Sequence, residues 1–448
     1  MSSEFEVGNI GVAETHATGT ERPATFGGGN WKALGLKKTT KRVLTRRAVM
    51  WLGQTCNLRC YFCYFLNRID DAHHPEHPFM DIGKAKDMCT ILREFYGCTS
   101  IDIQGGEPTI YPHILELIRH CHEIGLYPTL ITNGLHLAKP GNLEKFRDAG
   151  IRDFLCSLHG IGEIHDQVVC KKGAYEKITT AIGRMQELGI PFRFNCTMSK
   201  PVVPIIPEIA QKAIDYGANA VNYLAFNPFE DQETGIRTHD NVAKYSDIKP
   251  YLTKAMDMLE EAEIECNVRY LPLCMAEERH RKNFYNFQQL PYDHHEWDYQ
   301  SWMWTGLQPQ RMKEGGLVPA FRIGMRDRQI MGMAHRARDF AVDRPTLARF
   351  VFGAQHVVAR VEQAVRGKEE MYREEAMIRA KYDAGYRYHD ACETCAARRI
   401  CDGFHGDYAD LFGTHEATPI SGVPIDNPKH YIQHQLKVVE REDEAWAL

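Results

Sequence analysis

No run of about 18 apolar residues occurs in the 448-residue chain, so no membrane-spanning helix is expected. The first 30 residues lack the apolar core of a secretory signal. "MSSEF" runs into acidic, polar, glycine-rich sequence, and the default expectation is a cytoplasmic location. Positive charge is not in excess. The formal net charge is −5, which excludes a broad basic field for nucleic acid. Internal repeats and low-complexity tracts are missing. Two absences concern cysteine. No fourth thiol or histidine lies close in sequence to Cys56, Cys60 and Cys63, and no cysteine follows Cys401.

What is present is an ordinary globular composition, 44% hydrophobic and 25% charged, enough for a sizeable core in two to three domains. Fourteen cysteines in such a chain read as thiols or metal ligands rather than disulfides. Cys89, Cys98, Cys121, Cys156, Cys170, Cys196 and Cys266 sit in apolar segments and read as small buried hydrophobes. Residues 1–44 are polar, with "FGGGN" at Phe26 to Asn30, and read as a loosely ordered leader. From Ala48 onward, buried strands alternate with amphipathic helices. "AVMWLG", "SIDIQ", "YPTLITN", "IRDFLCSL", "PFRFNCTM" and "AVNYLAF" are the strands. Six strands alternating with helices predict right-handed parallel βα units, an α/β barrel or partial barrel. Chemistry in such a sheet gathers at the carboxyl ends of the strands. After Phe229 the pattern becomes a long helix, a strand "CNVRYLPLC", an aromatic and polar stretch, and further helix.

Cys56, Cys60 and Cys63 are spaced C-x3-C-x2-C directly after the first strand. Thiolates bind iron–sulfur clusters and zinc. On spacing alone a cluster, a zinc site and chance all stay open. The second strand ends in "GGEP", Gly105 to Pro108. Cys56, Cys60, Phe62 and Cys63, with that GGEP and the βα alternation, resemble the radical S-adenosylmethionine (SAM) superfamily over about residues 46 to 230. The resemblance implies a partial (β/α)6 TIM-like barrel over 45–232 and a C-terminal α+β extension over 233–448. It implies a [4Fe–4S] cluster held by the three cysteines, whose open iron chelates SAM. Reductive cleavage of SAM there yields a 5′-deoxyadenosyl radical that takes hydrogen from a substrate. A flavodoxin or ferredoxin would supply the electron. Gly105 and Gly106 would let the backbone approach the methionine end of SAM, with Glu107 and Pro108 completing that turn. Phe62 would pack near the adenine. Asn133 would end the third strand as a cofactor contact or a helix entry, Ser157 would bind ribose or carboxylate, and Asn195 would bind ribose hydroxyls. Leu224 and Ala225 would border the adenine.

"CETCAARRICDGFH" places Cys392, Cys395 and Cys401 at C-x2-C-x5-C, followed by His405. Zinc ribbons use such pairs too. The spacing is similar to the SPASM or twitch extension of the same superfamily, which implies one auxiliary iron–sulfur cluster, expected as [4Fe–4S]. The fourth ligand is expected to be Cys274, with His405 as its rival.

The substrate is less legible. Asp293, His294, His295, Glu296, Trp297 and Asp298 suit a polar ligand or a surface loop, and Arg281 or Lys282 an anionic group. Three readings follow: a radical SAM enzyme acting on a small polar metabolite such as a sugar or amino compound; a peptide- or protein-modifying maturase; and a zinc-stabilised interaction protein. The short polar stretch before the first strand leans toward the small molecule.

Overall fold

The computed structural model describes residues 31–63, 66, 69, 77–94, 97–226, 237–293, 336, 340, 344–378, 380–381 and 384–448. Strand β1 (Lys37–Thr39) is followed by β2 (Arg47–Trp51), α1 (Ile82–Glu94), β3 (Ser100–Gln104), α2 (Ile114–Glu123) and β4 (Tyr127–Thr132). Then come α3 (Asn142–Asp148), β5 (Asp153–Ser157), α4 (Glu163–Val168), α5 (Ala174–Glu187), β6 (Phe192–Met198), α6 (Ile206–Tyr216) and β7 (Ala220–Ala225). The chain continues through α7 (Tyr245–Glu261), β8 (Glu265–Arg269) and β9 (Phe284–Tyr285). Near the carboxyl terminus, β10 (Lys437–Val439) pairs antiparallel with β1.

Strands β2 to β9 form one open sheet in chain order, and every neighbouring pair is parallel. The alternation read from the sequence is therefore the fold. The local reasons are ordinary. Ile114, Leu117, Ile118 and Cys121 repeat at helical spacing on α2 and are buried. Each such aliphatic side chain contributes about 1.5–3 kcal/mol, so Leu117→Asp would undo that face. Gly217 closes α6 at φ +73, donating to Ala213, a conformation that carries no penalty without a Cβ.

The count of strands differs from expectation. Six were expected, but among the described residues β8 and β9 extend the sheet to eight and carry it past residue 232. All five residues of β8 are buried and pair with β7. The segment expected as one strand from Cys266 to Cys274 leaves the sheet at Tyr270, whose φ is +67. The expected leader also differs in part. Lys37–Thr39 is a strand, while residues 1–30 lie outside the described residues.

The amino ends of the strands are filled by charge. Arg47 bonds Asp102 at 3.1 Å, and Arg193 bonds Asp153 at 2.7 Å, all four buried. Burial alone would raise Asp153, but the Arg152, Arg193 and Arg47 guanidiniums hold it well below the carboxylate range. The carboxyl-terminal segment seals this end. Glu442 pairs with Arg152 at 3.0 Å. Lys437, fully buried, pairs with Glu265 at 3.1 Å and Asp293 at 2.8 Å. The opposite, carboxyl ends are left for chemistry.

Candidate functional site

The loop after β2 is clamped from two sides. Gln54 and Thr55 each donate to the Pro78 carbonyl at 3.2 Å. Gly106 donates to Gly53 and Glu107 to Thr55, both at 2.9 Å. The two glycines exist for this clamp. A Cβ on Gly106 would lie 2.0 Å from the Thr55 carbonyl oxygen, and one on Gly105 2.8 Å from that of Gly53. The Cβ positions of both glycines therefore face main chain.

Glu107 is buried and its carboxylate is occupied locally. One oxygen accepts from Thr109 N at 3.1 Å, from the Thr109 hydroxyl and from Thr132 Oγ1 at 2.7 Å. The other accepts from Asn133 N at 2.8 Å. Burial raises its pKa, and these donors oppose the rise. The carboxylate thus ties the end of β3 to the end of β4. Pro108 is buried and opens the short turn that Glu107 caps.

This clamp presents the cysteine loop. Cys56 and Cys60 lie half-buried against Leu58, Leu135, Val169 and Ala174. Leu58 N donates to Cys56 Sγ at 3.4 Å, and Cys63 N to the Cys60 carbonyl at 3.0 Å. The three thiols lie within electrostatic reach of one another. Burial pushes the Cys56 thiol up to about 12, and that of Cys60 well above its ordinary value. Asn133 reaches Asn57 Oδ1 at 2.7 Å and Cys56 Sγ at 4.0 Å.

Phe62 packs edge-on against His159, with centroids 4.5 Å apart, and meets Tyr61 and Phe226 at 6.0 and 6.3 Å. Ser157 and Asn195 are direct register partners on β5 and β6. Asn195 Oδ1 is buried and has no hydrogen-bond partner among the described residues. Leu224 is half-buried and Ala225 buried at the end of β7. Sequence reasoning missed His159 and His165. His159 Nδ1 accepts from Thr197 N at 3.0 Å, and His165 Nδ1 accepts from His159 N at 3.2 Å. The signal was available, since "SLHG" closes a strand beside Ser157.

The second cysteine group gathers in a separate cavity. Cys274, Cys392, Cys395 and Cys401 line it together with Leu273, Tyr388, Arg398 and Thr418 to Ile420. Cys274 sits in the turn Leu273–Met275, a few residues beyond β8. Ile420 N donates to Cys395 Sγ at 3.3 Å. His405 does not line this cavity. Its Nδ1 accepts from Asp407 N at 3.3 Å, capping the helix Gly406–Phe412. Among the described residues, no three His, Cys, Asp or Glu stand in a preformed metal arrangement. The donor set nevertheless fits an iron–sulfur group by its chemistry, soft thiols at both places.

Other candidates are drawn elsewhere. Asp293 is fully buried between Lys437 and Arg269, which donates to it at 2.8 Å, so it is an interior ion-pair residue and not a substrate ligand. His294, His295, Glu296, Trp297 and Asp298 lie outside the described residues. Lys282 pairs with Glu260, and Arg281 lies 5.7 Å from the Tyr431 ring. Cys170, expected to be buried, is exposed.

An open parallel sheet of βα units with a cysteine triad at its carboxyl edge defines a class. Residues 52–208 match the Radical SAM superfamily, and the chain carries a radical SAM domain. That family works with a [4Fe–4S] cluster and SAM. An AdoMet-dependent heme synthase of Methanosarcina barkeri is 27% identical over 237 residues, 50% of this chain and 62% of that protein. A PqqA peptide cyclase of Bradyrhizobium diazoefficiens is 28% identical over 165 residues, 37% of this chain and 42% of that protein. The chain thus spans less than two thirds of the length of either relative. Streptococcus suis SuiB bound to S-adenosylmethionine is similar at 22% identity over 50% of each chain, with a TM-score of 0.41. No helix among the described residues is long and apolar enough to cross a membrane.

Proposed function

We propose that this chain is a radical SAM enzyme, with Cys56, Cys60 and Cys63 as ligands of the SAM-binding cluster. The observation that carries the proposal is the clamp. Three thiols stand on a loop bonded through Gly53 and Thr55 to the GGEP turn, at the carboxyl edge of the matched domain. The bound cluster and SAM supply a carbon radical that abstracts hydrogen. This chain's residues hold and orient. Glu107 locks the β3 and β4 ends, and Asn133 steadies the loop through Asn57. Phe62 offers an aromatic edge for the adenine. Asn195 and Ser157 offer polar atoms on adjacent strands, and the unpartnered Asn195 Oδ1 awaits a donor such as a ribose hydroxyl. Cys274, Cys392, Cys395 and Cys401 hold one auxiliary cluster, and a flavodoxin or ferredoxin serves as electron donor.

Between the substrate readings, the peptide-modifying one gains more support than the small-metabolite one. PqqA peptide cyclases recur among the relatives, from Bradyrhizobium diazoefficiens and from Ruegeria pomeroyi. The heme synthase keeps a small-molecule substrate as the second reading. The test is anaerobic purification, then SAM with dithionite. A brown protein that forms 5′-deoxyadenosine, with a Cys60→Ala variant that does not, is the expected result. A colourless protein holding zinc would reject it. Screening peptides against tetrapyrroles as hydrogen donors then decides the substrate class.

A further inference from the structure

Beyond the helix Gly406–Phe412 the chain returns across the auxiliary cavity. There it is laced to the cysteine turn. Ala396 N donates to the Ile420 carbonyl and Ile425 N to the Ala396 carbonyl, both at 2.8 Å. Ile420 N donates in turn to Cys395 Sγ at 3.3 Å. The same segment lines the cavity together with Cys274. Thr418 and Pro419 are exposed, Ile420 is buried, and all three line the cavity.

We propose that Thr418–Ile420 is a strap that sets the reduction potential of the auxiliary cluster by donating the Ile420 main-chain N–H to Cys395. The proposal rests on the reading that these cysteines hold that cluster. Reduction adds negative charge to a group already carrying four thiolates. An N–H dipole aimed at a sulfur stabilises the reduced form more than the oxidised form and raises the potential. Much of the remaining wall is apolar, with Pro272, Leu273, Ala397, Phe404 and Ile420, and low polarity enlarges the effect of each donor. Arg398, stacked on Tyr388 at 3.3 Å and facing Cys392, adds fixed positive charge on the same wall.

The test uses the anaerobic, fully loaded protein, titrated with dithionite through redox mediators and followed by EPR. Ile420→Pro removes that N–H. Ile420→Val and Thr418→Ser keep it. Losing one such bond is expected to lower the reduced-to-oxidised ratio at fixed potential by up to about tenfold. That is about 59 mV for a one-electron couple. The two controls, and the cluster at Cys56, Cys60 and Cys63, should not move. An amide-to-ester replacement at position 420 removes only the N–H and decides the matter if the proline variant fails to retain iron. Wild-type potential in a loaded ester or proline variant overturns the strap. An auxiliary site that binds no iron in the wild-type protein overturns the ligand reading itself, and the strap with it.

Discussion

Substituting Gly106 by alanine tests how the cysteine loop is held. The new Cβ would stand 2.0 Å from the Thr55 carbonyl oxygen, 2.3 Å from its carbon and 2.9 Å from Cys56 N. Ordinary contact needs about 3.5 Å, so main chain must yield by roughly 1.5 Å. No side-chain rotation can relieve it, because all three atoms are backbone. The shift also breaks the Glu107 N to Thr55 O bond. Overpacking of this kind costs about 1–3 kcal/mol. The lost bond adds about 1 kcal/mol. A total near 3 kcal/mol lowers Tm by roughly 6–12 °C in a domain of this size. Gly141→Ala is the control. It has φ +75 but nothing within 4 Å, so it carries only left-handed strain of about 1–2 kcal/mol. Calorimetry gives the stability, and iron and sulfide analysis after anaerobic reconstitution gives the loading. Gly106→Ala should lose iron at the first site as well as stability, because Cys56 moves with Thr55, whereas Gly141→Ala should keep its iron. If Gly106→Ala melts like the control and loads iron fully, the clamp does not seat the triad.

Three further outcomes follow from the same geometry. Cys274→Ala should remove auxiliary iron while His405→Ala retains it and loses about 1 kcal/mol of helix capping, and iron counting on the two variants would expose a reversed assignment. Lys437→Met should cost about 3–5 kcal/mol, since Glu265 and Asp293 would stay buried without their shared cation; a denaturant midpoint unchanged from wild type would contradict the buried network. Burial lowers His165 to about 4, below the ordinary value near 6.5. The folded state then binds fewer protons than the unfolded state in between, so the stability is complete above about pH 6.5 and falls as the pH drops toward 4. The His165 contribution is about 3 kcal/mol, and because burial lowers His159 in the same direction, His165→Gln should lessen but not abolish that slope in chemical denaturation.

The chemistry-bearing parts were legible because they are local. "SIDIQ" is β3 to the residue, and the cysteine spacing, the GGEP turn and the apolar periodicity of α2 need only near neighbours. Cys274 lines the cavity with Cys392, Cys395 and Cys401, the grouping expected from its place at a strand end just beyond the barrel in the SPASM-like resemblance. The close approach of the GGEP glycines to the main chain of residues 52–56 is a tertiary contact, which no periodicity reveals. Asp293 looked like a surface or substrate group, since its partners Arg269 and Lys437 are far along the chain.

Sequence by itself determined the βα order, the two thiol clusters and the side of the sheet where they stand, because hydrophobic period and ligand spacing act over a few residues. Only the tertiary structure decided that eight strands share the sheet and that Lys37–Thr39 pairs with Lys437–Val439. It also decided that buried carboxylates and guanidiniums plug the amino end, and that His405 caps a helix and is not in the lining of the cysteine cavity. Those outcomes depend on which distant segments meet, and a charge can be buried only where its partner arrives from elsewhere in the chain.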